Sequence, residues 1–153
     1  MSDMLVKLYD LPSRPALLQG PIEYRRALVP ELHLVQAWVR EHFSEYWASE
    51  VGVSFSRQPV NCWIAIEQGK LLGFACYETT AKGFFGPTGV AEIARGRGIG
   101  KQLLLQALHS LQDEGYAYGI IGGVGPAEFY TKAVGAVLIP DSKPGIYRGL
   151  LRE

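Results

Sequence analysis

Arg95-Gly96-Arg97-Gly98-Ile99-Gly100 lies between a strand-like run, Thr88 to Ile93, and a strongly helical one, Lys101 to Glu114. Three glycines in five positions leave bare backbone N–H groups that can approach an anion, because no Cβ stands in the way. The helix after the loop adds its own unpaired N–H groups and the positive end of its dipole. Arg95, Arg97 and Lys101 add cationic side chains. Together these features describe a pyrophosphate cradle. It is not a P-loop, which needs a glycine five residues before the Gly-Lys pair and a Ser or Thr after it; this chain has Arg95 and Gln102 there. It is not the Gly-x-Gly-x-x-Gly dinucleotide fingerprint either. Counting from Gly96 ends on Lys101, and counting from Gly98 ends on Leu103.

Around the loop, the pattern predicts alternating strands and helices. Met4 to Leu11 alternates apolar and polar residues and reads as a first strand. Pro12, Pro15, Gly20 and Pro21 break the next stretch into a loop. Pro30 with Glu31 suits a helix start, and Leu32, Val35, Val39 and Phe43 then recur at helical spacing. Ser44 caps a second helix over Ser44 to Val53. Asn61 to Glu67 and Lys70 to Thr80 make a hairpin about Gln68-Gly69-Lys70. Phe84 to Ile93 is a further strand, with a bulge or bend at Gly86-Pro87. In the helix after the glycine loop, Ile99, Leu103, Ala107 and Ser110 form one line beside Leu104, Leu108 and Leu111. That stripe packs on a sheet, and Gly115 stops the helix. Tyr116 to Gly122 is a buried strand, Pro126 to Val134 a short helix, and Ala136 to Ile139 with Ile146 to Leu151 a closing pair of strands.

Composition bounds the function. A chain of 153 residues with 48% hydrophobic and 20% charged residues is one ordinary globular domain. Net charge is zero and no basic run exceeds Arg25-Arg26, so no global field draws nucleic acid. No apolar stretch approaches the roughly 20 residues of a membrane-spanning helix. Met1 to Met4 starts no charged and apolar signal, so a cytoplasmic location is expected. Cys62 and Cys76, symmetric about Gly69, are read as reduced core thiols that face each other across the hairpin. His33, His42 and His109 have no Cys or acidic ligands at metal spacing, so no metal site is expected.

The pattern Arg95-x-x-Gly98-x-Gly100 resembles the coenzyme A loop of the GNAT superfamily of acyl-CoA N-acyltransferases. The element order resembles that fold over nearly the whole chain. A second resemblance lies in Phe129-Tyr130-Thr131-Lys132-Ala133-Val134-Gly135, where many members carry Phe/Leu-Tyr-x-Lys-x-Gly-Phe. Here one extra residue precedes Gly135, Ala136 replaces the aromatic residue, and Gly123 stands where many relatives have Asn. The resemblance implies a mixed α/β fold: a mostly antiparallel sheet with splayed fourth and fifth strands, flanked by about four helices.

The resemblance also implies an activity, the transfer of an acetyl group from acetyl-CoA to a primary amine through a tetrahedral intermediate. Thr88, Gly89 and Val90 would hold the pantetheine as an added strand, and the Val90 N–H would face the thioester oxygen. Arg95 to Lys101, with Ile99 among them, would hold the pyrophosphate. Tyr130 would protonate the departing thiolate; a phenol of ordinary pKa about 10 suits that partner. Glu92 is the acid that the fourth strand offers as base, at a position where many relatives carry Pro. Proximity alone supplies much of such a rate, so no dedicated base is required. Trp38, Tyr46, Trp47 and Phe55 beside Glu41, Glu45 and Glu50 would suit a cationic amine, and Asp141 to Tyr147 is a second possible rim. Three functions stay open: an enzyme acting on a small amine, one acting on a protein amine, and a non-catalytic acyl-CoA sensor. A homodimer is compatible with all of them.

Overall fold

A central hairpin, Cys62–Glu67 (β4) and Lys70–Tyr77 (β5), organises the sheet. A computed structural model describes residues 1–152 of the chain. Gln68 and Gly69 join the two strands with φ of 50° and 74°, the paired positive values of a type I′ turn, whose twist matches that of the strands. A two-residue turn alone would pair Cys62 with Ala75. The register instead slips between Ala65 and Ile66, and the extra residue on β5, Leu72, brings Cys62 opposite Cys76 as the sequence suggested. Both thiols are buried and free.

Alternation along this hairpin sorts the core into two layers. Trp63, Ala65, Ala75 and Tyr77 face one side, where Ile99–Asp113 (α3) lays down Leu103, Leu104, Leu108 and Leu111. Cys62, Ile64, Phe74 and Cys76 face the other, under Leu32–His42 (α1) and Glu45–Ser54 (α2). The expected caps form: Ser44 Oγ accepts the Trp47 N–H at 3.1 Å, and Gly115 follows α3 with φ 103°. The predicted stripe of α3 is buried along its length. Its Ser110 hydroxyl accepts the Trp63 indole N–H at 2.9 Å, which fixes the helix over the hairpin.

Among the described residues the sheet has eight strands. Leu18–Gln19 (β2) and Ile22–Arg26 (β3) extend it beyond β4. Phe84–Val90 (β6), Tyr118–Ile121 (β7), Met4–Lys7 (β1) and Val137–Leu138 (β8) follow β5 in that order. The order corrects three expectations. The strand that pairs with β4 is β3, from a stretch read as loop, because Gly20 (φ 60°) and Pro21 close a tight hairpin. Met4 to Leu11 is a strand only to Lys7, and it sits between β7 and β8, antiparallel to both. Leu8–Asp10 coils into a single 3-10 turn. The closing pair does not form: β8 pairs with β1, and Gly145–Tyr147 is a 3-10 turn. Positive φ at Asp141, Gly145 and Gly149 keeps that segment from extending.

The bulge foreseen at Gly86-Pro87 is present. Between the pairs Tyr77↔Phe85 and Ala75↔Thr88, β6 holds one residue more than β5, and Gly86 takes φ 117°. The strand ends at Val90, and Glu92–Ala94 forms a 3-10 turn with Ile93 95% exposed.

Leu108 is fully buried between α3 and the sheet. Leu108→Ala should cost about 3 kcal/mol, read as a lower urea midpoint with an unchanged slope.

Candidate active site

β6 and β7 run parallel but pair only at Phe84↔Ile120 and Phe85↔Ile121. Beyond Phe85, β6 continues to Val90 while β7 ends at Ile121 and turns through Gly122 and Gly123 (φ 57°). The two strands therefore part, leaving a wedge between them. The Ala91 N–H donates to the Leu72 carbonyl at 2.8 Å. Backbone groups alternate sides along a strand, so those of Gly89 also face β5, while the N–H and C=O of Thr88 and Val90 face the wedge. Arg95 Nε reaches the Val90 carbonyl at 3.4 Å, and Thr88 Oγ1 donates to the Phe74 carbonyl at 3.0 Å.

Gly89 is flat against the α1 side of the sheet. A Cβ there would lie 2.3 Å from Phe43 Cζ. Phe43 packs in turn on Trp47, ring centroids 4.9 Å apart, and on Trp38 and Phe74 near 6 Å. The helical spacing of Phe43 was visible in the sequence; its seat on β6 was not, although a glycine inside a strand signals a close approach.

Below the wedge stands the glycine loop. Gly96 and Gly98 have φ of 84° and 77°, and a Cβ on either would meet nothing within 4 Å. Backbone conformation, not crowding, requires glycine at both, and the rim is open. The first intrahelical bond of α3 runs from the Gln102 N–H to the Gly98 carbonyl at 3.2 Å. The N–H groups of Ile99, Gly100 and Lys101 are thus free of helical partners, and no acidic side chain stands in the first turn. Ile99 is buried and anchors the turn, while Gly100 sits close to Val90, 3.7 Å from its Cγ2 to a built Cβ.

The loop cations are placed differently from one another. Arg97 forms a two-pronged ion pair with Glu67 on β4, at 2.9 and 3.3 Å. The pair raises the Arg97 pKa and lowers that of Glu67, each mainly through the shared hydrogen bonds. Lys101 is exposed and joins no ion pair among the described residues. Glu92 lies on the exposed 3-10 turn past β6, not on a strand, so it does not line the wedge as a strand residue.

Tyr130 comes from Ala127–Val134 (α4), which Gly135 ends in the left-handed conformation at φ 68°. The residue is 7% exposed. Its ring meets Phe85, at the vertex of the wedge, and Phe129, edge to face with centroids 6.4 and 5.0 Å apart. Burial pushes the phenol up to about 12. A buried tyrosine hydroxyl ordinarily finds a partner. Tyr130 Oη hydrogen-bonds to no other described residue, and it is not among the polar atoms sealed from solvent.

On the α2 face the structure joins two rims that stand far apart in the sequence. The Tyr147 hydroxyl donates to Glu50 Oε2 at 2.9 Å, and the Tyr46 hydroxyl to the Leu151 carbonyl at 3.0 Å. Thr80 Oγ1 also donates to Glu50 Oε2. A cleft of about 680 Å³ lies elsewhere, between α1 and strands β3 to β5, walled by Leu34, Trp38, Ile64, Ile66 and Leu71. It touches neither the loop nor Tyr130, so its size does not make it the reaction site.

The model of the acetyltransferase (GNAT) family matches residues 22–135, and the chain belongs to that family. The match begins on the first residue of β3. No curated protein matches the chain. Among solved structures it is similar to the GCN5-related glucosamine N-acetyltransferase region of a fungal multi-domain GH3 β-N-acetylglucosaminidase. There the TM-score is 0.72 and the identity 18%, over 90% of this chain and 19% of that one. A GCN5-related N-acetyltransferase from Sphaerobacter thermophilus gives 0.67 and 22%, over 90% and 48%. A GNAT family acetyltransferase from Brucella melitensis in complex with acetyl-CoA gives 0.60 and 16%, over 79% and 88%. The chain thus spans about a fifth of the first of these and about half of the second. At such identities the likeness is one of fold.

Gly89→Ala should displace Phe43 and destabilise the protein by about 1–3 kcal/mol, with near-ultraviolet dichroism reporting the moved rings. Tyr130 holds its proton longer in the folded state than in the unfolded chain, where a phenol ionises near 10. Its contribution to stability is therefore full below about pH 10 and lost as the pH rises through about 12. Tyr130→Phe should flatten that alkaline loss in denaturant titrations.

Proposed function

We propose that this chain transfers the acetyl group of acetyl-CoA to a primary amine of a small molecule. The observation that carries the reading is the wedge between β6 and β7, beside an open helix N-terminus whose first turn carries no acidic side chain. That pairing of features fits coenzyme A: a loop of free N–H groups for its pyrophosphate and a strand edge for its pantetheine amides. Acetyl-CoA, when bound, supplies the thioester.

The backbone of Gly96 to Lys101 holds the pyrophosphate, with Arg95 and Lys101 beside it. Arg97 contributes less, because it is already held by Glu67. Thr88 and Val90 offer their wedge-facing backbone groups to the pantetheine, with Gly89 between them turned toward β5. The Val90 N–H donates to the thioester oxygen as charge develops there. Tyr130 stands at the vertex, and its hydroxyl donates to the sulfur as negative charge develops there and passes its proton to it as the C–S bond breaks. The ammonium sheds one proton to solvent before its nitrogen attacks; the tetrahedral adduct sheds a second, which restores the proton Tyr130 gives to sulfur, and fixed proximity supplies much of the rate without help from Glu92. A small acceptor is favoured because residues 139–151 cross the α2 side of the wedge. That segment is tied to Asp3 through Ser142 and to α2 through Tyr46 and Glu50. A peptide would need an open groove there.

Calorimetric titration with acetyl-CoA should give a Kd on the order of micromolar. Gly98→Asp puts a carboxylate at the helix N-terminus on a left-handed residue, and should weaken binding by about 100-fold. Arg97→Ala should weaken it only a few-fold, on the order of a surface ion pair. Tyr130→Phe should lower kcat about 100-fold while leaving acetyl-CoA affinity unchanged. A folded wild-type protein that binds no acetyl-CoA would sink the reading, and binding without turnover on any amine would make the chain a sensor.

A further inference from the structure

Glu50 is held in a way that a surface carboxylate is not. It lies half-buried on α2. Two hydroxyls converge on one of its oxygens: Thr80 Oγ1, from the β5–β6 turn, and the Tyr147 hydroxyl at 2.9 Å, from the segment after β8. Its other oxygen, Oε1, accepts no hydrogen bond from the described residues and is not sealed from solvent. Neither donor is a cation, and no ion pair involves Glu50 among the described residues. The carboxyl group is therefore held in place by two hydroxyls and has no cationic partner among the described residues.

Its position is set from both sides of the wedge. Trp47 and Glu50, three residues apart on α2, share one helix face. Trp47 packs on Phe43, and Phe43 lies against Gly89 of β6. On the β7 side, Asp3 Oδ1 accepts the Gly123 N–H at 2.9 Å, and the Asp3 N–H donates to Ser142 Oγ at 2.8 Å. Residues 142–147 thus run from the open end of β7 across to Glu50, and Tyr147 spans the last step. Burial pushes the Tyr147 phenol up to about 12, so its proton stays on the bridge to Glu50.

We propose that Glu50 selects the acceptor: its free oxygen receives the cationic ammonium of an amine with an apolar or aromatic body, seated between Trp47 on α2 and Tyr147 on the crossing segment. The assignment rests on the transferase reading and adds the acceptor's charge and its recognising residue. The carboxylate and two aromatic rings act together, since a cation over an aromatic face gains further attraction. Glu50 here orients the acceptor as it arrives; the nitrogen sheds a proton to solvent and attacks the thioester carbonyl as the neutral amine, and Glu50 has no part in expelling the thiolate.

Glu50→Gln tests this cleanly, because the amide oxygen can still accept from Tyr147 and Thr80 while the charge is gone. The probes are tryptamine, a cation near neutral pH, and p-anisidine, an aromatic amine that is neutral there. Each is titrated calorimetrically against wild type and variant in the presence of CoA, and assayed with acetyl-CoA. The expected result is that Glu50→Gln weakens tryptamine binding and raises its KM about tenfold or more. The p-anisidine values and CoA affinity should stay within about twofold of wild type. Tyr147→Phe, which frees Glu50 without removing its charge, should give a smaller loss confined to tryptamine. Equal effects on both amines, no effect on either, or no tryptamine binding by the CoA-loaded wild type would overturn the assignment of Glu50. Failure to bind CoA at all would instead overturn the transferase reading.

Discussion

Everything at the site depends on two adjacent strands that stop pairing. β6 and β7 share only the pairs at Phe84 and Phe85, and then the extra residue at Gly86-Pro87 turns β6 toward β5. Beyond those pairs the wedge-facing edge of β6 carries backbone donors and acceptors that β7 does not pair. The rest of the molecule holds that edge open. Phe43 is pressed on Gly89 from the α1 side, Tyr130 fills the vertex from the α4 side, and α3 is anchored through Ile99 and the Ser110–Trp63 bond. The opening is thus framed by packed side chains on both faces of the sheet.

The two faces of the sheet divide the labour. The α3 side carries backbone donors and a helix N-terminus suited to a long, anionic cofactor-like molecule. The α2 side carries rings and one fixed carboxylate, suited to a compact cation.

The parts of the fold legible in the sequence were those fixed by local chemistry. Ser44 as cap, Gly115 as stop, the α3 stripe and the Gly86-Pro87 bulge all come from backbone rules that act over a few residues. The glycine loop was legible for the same reason. Ile22 to Arg26 was lost because Gly20 and Pro21 read as breakers, although Ile22 and Tyr24 alternate inward as a strand requires. The place of β1 was not legible at all, since no local rule tells a strand which edge it joins. At the site, Tyr130 was found by motif, but its unpartnered hydroxyl needed the fold. The engagement of Arg97 by Glu67, 30 residues away, and the meeting of Glu50 with Tyr147, 97 residues apart, are products of packing alone.

The insertion of β1 between β7 and β8 also bears on how the chain assembles. Met4 to Lys7 pairs only with residues 118–121 and 137–138, so on a ribosome it has no partner until more than a hundred residues have emerged after it. Its apolar residues Met4 and Val6 must wait exposed while the β3–β6 meander and α3 form from nearer contacts. Once paired, the strand places Asp3 where it holds Gly123 and Ser142. The segment that carries Tyr147 thereby leans on a strand whose own pairing is long-range.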